Sequence, residues 1–174
     1  MNEYDFSLEF KLEASYLDPQ NYLDQLYEAG CDDALISVGK LGYISLDFIR
    51  ESNSAKEAIE TAINNIKSVL TKSELIYISP DLVGVREIAD FLKCSRQNIQ
   101  KFVNKDDFPY PISLYNQKVW HLSHVLKWFN ENDKHISPEL LELSILTTLI
   151  NNEITQTQVN NQDFLCQAKD LVSI

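Results

Sequence analysis

The first eighty residues alternate between two hydrophobic periods, and this alternation limits the folds that the chain can adopt. Near the N-terminus, apolar residues recur at every second position, as in a strand with one buried face: Phe6, Leu8, Phe10 and Leu12. Residues 22–27 and 54–70 repeat their apolar side chains at helical spacing, after the capping residues Asp18 and Ser54. Further strand-like runs lie at 34–38, 43–49 and 74–79.

The order of these runs is β-α-β-β-α-β, which is typical of a four-stranded antiparallel sheet with both helices on one face. The sequence therefore predicts an α+β fold in which residues 1–79 form a ferredoxin-like domain. Function does not follow from this fold. We expect the domain to dimerise or to sense a protein or small-molecule effector, because an exposed sheet face or edge can bind a ligand or a second copy.

Catalytic patterns are missing from the sequence. It contains no P-loop, no HExxH and no G-x-S-x-G motif. Arg50 is the single arginine before residue 80, so an arginine-rich cradle for an anion is not expected. Asp32 and Asp33 are interpreted as a solvated turn, since neighbouring turn residues point apart. We therefore expect no enzymatic activity, no catalytic residue and no cofactor.

The charge distribution restricts any nucleic-acid site to one part of the chain. Fifteen Lys and Arg against 26 Asp and Glu give a net charge of −11, so the molecule as a whole repels phosphate. Residues 80–130 nevertheless carry seven basic and five acidic side chains, a net charge of +2. Residues 1–79 carry −8 and residues 131–174 carry −5. A nucleic-acid site is therefore expected within 80–130.

This middle segment has the pattern of two short helices joined by a tight turn. Val85, Ile88 and Ala89 form one apolar face, and Ser95 caps a second helix that turns Ile99 inward. The outer face of the second helix is rich in hydrogen-bond donors: Arg96, Gln97, Asn98, Gln100 and Lys101. Arginine suits guanine and the amides suit adenine, while lysine and a capped helix N-terminus suit phosphate.

Residues 82–129 resemble the AlpA/excisionase-like helix-turn-helix proteins, relatives of the MerR-type winged helix. The resemblance rests on V-x-E-I-A from Val85, C-S-R-Q from Cys94, Phe108-Pro109-x-Pro111, Val119-Trp120 and the closing Trp128-Phe129. It implies a winged helix-turn-helix over 80–132 and double-stranded DNA as the partner. The implied contact residues lie on the recognition helix, after it and in the wing: Ser95, Arg96, Gln97, Asn98, Gln100, Lys101, Lys105, Tyr115, Asn116, Gln117 and Lys118.

Some residues depart from the family pattern. Lys93 stands where the turn usually has glycine, and a left-handed conformation there would cost roughly 1 kcal/mol. Asp106 and Asp107 replace a basic or small pair, and His121 replaces a frequent arginine. The alternative is therefore an acidic protein–protein interaction module whose winged helix docks a protein without binding DNA. The aromatic residues of the segment are expected in its core: Phe102, Phe108, Trp120 and Trp128.

Cysteine and histidine spacing gives no sign of a metal site. Cys31, Cys94 and Cys166 form no CxxC pair, so we interpret them as buried free thiols. His121 and His124 lie three positions apart without a further ligand nearby in sequence, which favours capping or surface roles. We therefore expect no bound metal.

Residues 133–174 are expected to form a C-terminal helical tail. A helix begins at Ser137-Pro138-Glu139, and its apolar residues between 140 and 150 are too many for one stripe. Such a helix needs burial between this protein's own domains or against a second subunit. We interpret residues 151–162 as a polar linker and 163–172 as a last short helix, and we expect the tail to help form a homodimer.

No apolar run approaches the ~18 residues of a membrane span, and the acidic N-terminus lacks the features of a signal peptide. We expect a cytoplasmic protein without a membrane partner. The leading hypothesis is a bacterial or prophage transcriptional regulator that binds specific double-stranded DNA sequences.

Overall fold

The computed structural model describes residues 1–113, 117–132, 134–159 and 162–172, with backbone alone for 162–164. These ranges form a mixed α+β structure. The strands are β1 (Asn2–Lys11), β2 (Ala34–Ser37), β3 (Tyr43–Ser52), β4 (Glu74–Ser79), β5 (Leu82–Val83) and β6 (Trp120–His121). The helices are α1 (Leu23–Glu28), α2 (Ala55–Val69), α3 (Val85–Phe91), α4 (Arg96–Val103), α5 (Leu122–Glu131), α6 (Pro138–Val159) and α7 (Gln162–Val172).

The first four strands form an antiparallel sheet in the order β2-β3-β1-β4. The longest pairing joins β1 to β3, from Asn2 opposite Ser52 to Lys11 opposite Tyr43. The predicted four-stranded antiparallel sheet and the α+β class are confirmed. β1 begins four positions earlier than its apolar alternation indicates, because the pairing with β3 continues through polar residues.

One face of this sheet forms the first hydrophobic core. Every second residue of β1 from Tyr4 to Phe10 is buried, as the period of two predicts. Helix α2 packs on this face through a stripe of small and branched residues: Ala55, Ala58, Ile59, Ala62 and Ile66. Its N-terminus is capped as expected, since the Ser54 hydroxyl accepts from the Glu57 amide at 3.2 Å.

The predicted first helix is shorter than its apolar spacing suggests. Asp18 does act as a cap, because its carboxylate accepts from the Gln20 amide at 3.0 Å. The residues that follow, Pro19–Tyr22, form a 3-10 turn, and α1 itself has six residues.

Asp32 and Asp33 lie in a turn and are exposed, as interpreted from the sequence, but Asp33 also has a structural partner. The Arg50 guanidinium donates to both Asp33 carboxylate oxygens at 2.7 Å and to the Gly30 carbonyl at 2.8 Å. Arg50 is 8% exposed and lies 4.7 Å from the centre of the Phe48 ring. The bidentate pair therefore anchors the α1–β2 connection to the end of β3.

The Arg50→Lys substitution should lower the free energy of unfolding by about 2 kcal/mol, because an ammonium cannot reproduce the planar two-point contact with Asp33. Urea unfolding followed by circular dichroism measures this. Lys72→Arg is the control, since its pair with Glu13 is exposed and should change stability by less than about 0.5 kcal/mol. Equal midpoints for Arg50→Lys and the parent protein would contradict the assigned role.

The second hydrophobic core lies beneath β5, β6 and helices α3 to α5. β5 and β6 pair in an antiparallel manner, with Val83 opposite Trp120. Phe108 packs edge to face against Trp120, Trp128 and Phe129, with ring centres 5.0–6.1 Å apart. Trp120, Trp128 and Phe108 are buried and Phe102 is half-buried, so the prediction that these aromatics form core is confirmed.

Helix α6 connects the two cores. Leu143 is buried in the first core, whereas Leu140 and Leu141 pack against the second. The Glu142 carboxylate accepts from the Tyr4 hydroxyl at 3.1 Å and from the Ala55 amide at 3.3 Å. A helix that is apolar on most sides is thus buried in part within its own chain, one of the two outcomes expected, while Ile145 and Leu149 stay exposed.

The polar linker predicted over 151–162 is wrong for residues 151–159, which continue α6. Asn151 is buried, and its amide pairs with both backbone groups of Ile78 on β4, at 3.0 and 2.8 Å. These bonds pair the backbone N–H and C=O of Ile78, which the edge strand β4 would otherwise leave without partners on its open side. Tertiary contacts of this kind outweigh the modest helix propensity of Asn, Gln and Thr.

Asp81 is the polar node between the two cores and is 2% exposed. One carboxylate oxygen accepts from Thr148 Oγ1 at 2.8 Å and lies 2.6 Å from His121 Nδ1. The other accepts from Asn151 Nδ2 at 2.8 Å. The Asp81 carbonyl also accepts from the Leu122 amide at 2.7 Å. One residue thereby joins β5, α6 and the start of α5.

His124 is exposed, and His121 is the N-cap residue of α5, so both fall within the expected capping or surface positions. The His121 ring makes no cap bond and instead contacts the buried Asp81. The ring centre of His121 lies 5.3 Å from that of His124. Burial, and next the neighbouring His121, lower the pKa of His124 from its usual value. Within the described ranges, no group of three His, Cys, Asp or Glu side chains is placed to hold a metal ion.

The three cysteines differ in burial, so the expectation of three buried thiols is only partly right. Cys31 is buried, and burial raises its pKa to about 11. Cys94 is half-buried, whereas Cys166 on α7 is exposed. None of the helices in the described part of the chain is long and apolar enough to cross a membrane.

Candidate nucleic-acid interface

Helices α3 and α4 are joined by the tight turn that the sequence predicts. The Glu87 carboxylate accepts from the Gly84 amide at 3.0 Å, which stabilises the start of α3. After α3, the Cys94 amide donates to the Ala89 carbonyl at 2.9 Å. Lys93 adopts φ 49°, the left-handed conformation that glycine adopts most readily. The turn between α3 and α4 therefore forms with Lys93 at the position that favours glycine.

The Lys93→Gly substitution should raise the free energy of unfolding by about 0.5–1 kcal/mol. The left-handed conformation costs a side-chain-bearing residue roughly 1–2 kcal/mol, and the greater freedom of glycine in the unfolded chain offsets part of this gain. Lys127→Gly on α5 is the matched control and should lower stability by about 1 kcal/mol. Urea unfolding of both variants checks the sign, and a loss of stability in both would contradict the prediction.

Helix α4 is held by its cap and by a single fully buried side chain. The Ser95 hydroxyl accepts from the Asn98 amide at 3.2 Å. Ile99 is 0% exposed and packs in the second core, with Phe102 and Val103 half-buried beside it. These contacts fix which side of α4 faces outward.

The residues predicted to contact DNA lie mainly on this outward side. Ser95, Arg96, Gln97, Gln100 and Lys101 are exposed, whereas Asn98 is half-buried. At 100° per residue, Gln97 and Lys101 lie opposite Ile99, and Gln100 and Asn98 lie on the two flanks of the helix. Arg96 is about 60° from Ile99, so a duplex lying along α4 would meet it only at the edge of the helix.

No acidic side chain interrupts the α4 sequence, Arg-Gln-Asn-Ile-Gln-Lys-Phe-Val. Several acids nearby have structural partners instead. Asp81 is buried, Glu87 caps α3, and Asp107 accepts from the Trp128 indole at 3.2 Å. The charged side chains of α4 itself, Arg96 and Lys101, are both positive.

Lys105 lies just beyond α4, with its ammonium 5.5 Å from the ring centre of Phe102 and 5.4 Å from that of Trp128. Lys134 lies over the same side of the core, 4.8 Å from Phe102 and 5.2 Å from Phe129. Cation–π contacts thus hold two positive charges beside the C-terminal end of α4. Sequence reasoning missed Lys134, because it follows α5 and approaches α4 only in the fold.

The predicted wing is described in part. The Ile112 amide donates to the Val119 carbonyl at 2.8 Å, and Ser113 pairs with Val119 in an antiparallel bridge. Lys118 is exposed. Gln117 is exposed too. Its side chain lies beside Gly84 at the start of α3, where a Cβ added to Gly84 would be 3.1 Å from the Gln117 amide nitrogen. The predicted contact residues Tyr115 and Asn116 lie outside the described residues.

The F-P-x-P segment is tied to strand β6, next to the predicted wing. The Trp120 indole donates to the Pro109 carbonyl at 2.8 Å, which ties the approach of the hairpin to its last strand. Tyr110, between the two prolines, is 78% exposed. Its hydroxyl is therefore available to donate to a phosphate, a role that the sequence analysis did not assign. The position of Tyr110 between two prolines was the sequence feature that could have identified this exposed residue.

Comparison with known proteins adds no further identification: no protein-family model, no curated protein and no solved structure matches the chain.

Proposed function

We propose that the protein binds specific sequences of double-stranded DNA and acts as a bacterial or prophage transcriptional regulator. The observation that carries this proposal is the exposed surface of α4, which has a capped N-terminus, exposed Arg, Gln and Lys side chains and no acid. It belongs to the one segment with a net positive charge in a chain of net charge −11. The resemblance of 82–129 to AlpA/excisionase-like proteins supports the same proposal.

In this proposal residues 80–132 form a winged helix-turn-helix with α4 as the recognition helix. Arg96, Gln97 and Gln100 would read base edges in the major groove, where donors of these types discriminate between bases. Lys101 and Lys118 would contact phosphates and fix the orientation of the protein. Asn98, being half-buried, would contribute less than the sequence pattern suggests.

The N-terminal residues 1–79 would serve as a ferredoxin-like domain that senses an effector or supports dimerisation. The strand order β2-β3-β1-β4 and the placement of α2 on one face support this assignment. A homodimer would present two α4 helices to half-sites separated by one or more turns of DNA. It would also double the contacts that oppose the unfavourable net charge.

Fluorescence anisotropy with a labelled mixed-sequence duplex tests the electrostatic part of the proposal. We expect binding at about 50 mM salt that weakens at least tenfold at about 200 mM, because contacts with phosphates release counterions. The double variant Arg96→Ala/Lys101→Ala should weaken binding, whereas the charge-matched control Lys40→Ala/Lys72→Ala should not. Absence of binding at both salt concentrations would favour the alternative of a protein-docking module.

A further inference from the structure

An apolar groove runs between α2 and α6. It has a volume of about 360 Å³ and is lined by Ile59 and Ile63 of α2 and by Leu146 and Ile150 of α6. The apolar surface continues along α6, where Ile145 is 46% exposed and Leu149 is 59% exposed. Isolated apolar side chains are common on protein surfaces, but a continuous groove of this kind marks a site of association.

Helix α7 carries an apolar face of matching chemistry. Leu165, Ala168 and Val172 follow the spacing i, i+3 and i+7, so they lie on one side of the helix, with Leu171 beside them. Leu171 and Val172 are 71% and 89% exposed, so this face is not buried against its own chain. An amphipathic helix with an open apolar face suits an apolar groove between two helices.

Chain length limits how much of the groove α7 of the same chain can fill. Ile150 lies nine residues before the end of α6 at Val159, roughly 13 Å along the helix. Helix α7 has 11 residues and is roughly 16 Å long. Folded back along α6, it would bring Leu171 only to the level of Ile150. The half of the groove around Leu146 would stay uncovered.

We propose that this groove binds helix α7 of a second copy of the chain, with each copy filling the groove of the other. The reciprocal contact closes with two-fold symmetry, so it yields a dimer and not an open chain. Lys56 lies at the rim of the groove, where it can meet Asp170 of the incoming helix. The inference goes beyond the proposed DNA binding and does not depend on it.

Sedimentation equilibrium of the full chain without DNA tests the proposal. The parent protein, with a chain mass of 20.0 kDa, should sediment as a dimer. Leu149→Glu, on the exposed apolar surface of α6 beside the groove, and Val172→Glu on α7 should each weaken dimerisation at least tenfold, because a carboxylate would enter an apolar contact. Leu41→Glu is the matched control at another exposed leucine and should leave the dimer intact.

Disulfide trapping identifies which copy supplies the helix. Asn64→Cys, at the rim of the groove, can pair with the native Cys166 of α7, in a background where Cys94 is replaced by serine. Oxidation should give a covalent dimer on a non-reducing gel. A cross-linked monomer would place α7 in the groove of its own chain and overturn the proposal. A monomeric parent protein, or dimers unaffected by both glutamate variants, would overturn it as well. DNA affinity enters none of these readouts.

Discussion

The Asp81→Ala substitution is expected to lower the free energy of unfolding by about 3–5 kcal/mol, the largest stability change that the structure predicts. The carboxylate is buried and accepts from Thr148 and Asn151 while binding His121. Its removal leaves these polar groups without their partner in a buried site. Because the node joins both cores, the loss should affect the whole molecule and not only one helix.

Urea unfolding measures this loss, with two variants for comparison. Asp81→Asn keeps the shape of the side chain and one acceptor oxygen, so it should recover part of the stability. Asp90→Asn changes an acid whose side chain is 73% exposed and should alter stability by less than about 0.5 kcal/mol. If Asp81→Ala unfolds within about 1 kcal/mol of the parent protein, the node does not hold the cores together.

The Arg96→Ala substitution is expected to reduce discrimination between DNA sequences by about 5- to 150-fold at one base pair. A good bidentate contact supplies about 1–3 kcal/mol of discrimination, and Arg96 is the side chain at the N-terminal end of α4 best suited to guanine. Lys118→Ala should instead weaken binding to all sequences alike, because a contact with phosphate carries no sequence information.

Competition between a preferred duplex and its single-base variants separates these two effects. Arg96→Ala should bring the affinities for variants at one position closer together, with the other positions unchanged. Lys118→Ala should preserve the ranking of all variants. Unchanged sequence preference in Arg96→Ala would show that α4 is not the reading helix, even if the protein binds DNA.

Local patterns predicted the elements that bury side chains in a regular order. The period of two in β1 and the helical spacing in α2 each identify the side that faces the first core. The short helices around Lys93 were also predictable, because Ser95 supplies a cap and Ile99 an inward contact. These features depend on neighbours within one element, which a sequence displays directly.

Contacts between distant polar residues were not predictable in this way. Asn151 and Ile78 are 73 positions apart, and a sequence rich in Asn, Gln and Thr favours a linker until the tertiary partner is known. The pairing of Arg50 with Asp33 and the burial of Asp81 also depend on partners that are distant in the sequence. The role of a buried polar side chain depends on partners that only the folded chain brings near. Apolar periodicity, in contrast, is visible within a single element of the sequence.

Selection from a randomised duplex pool at about 50 and 200 mM salt is the most direct test of the central claim. The proposed function predicts that the protein retains DNA at the lower salt and enriches a two-fold symmetric motif, and that the Arg96→Ala variant enriches a degenerate form of it. Retention of DNA with no enriched sequence would contradict specific recognition by α4. No retention at either salt concentration would contradict DNA binding altogether.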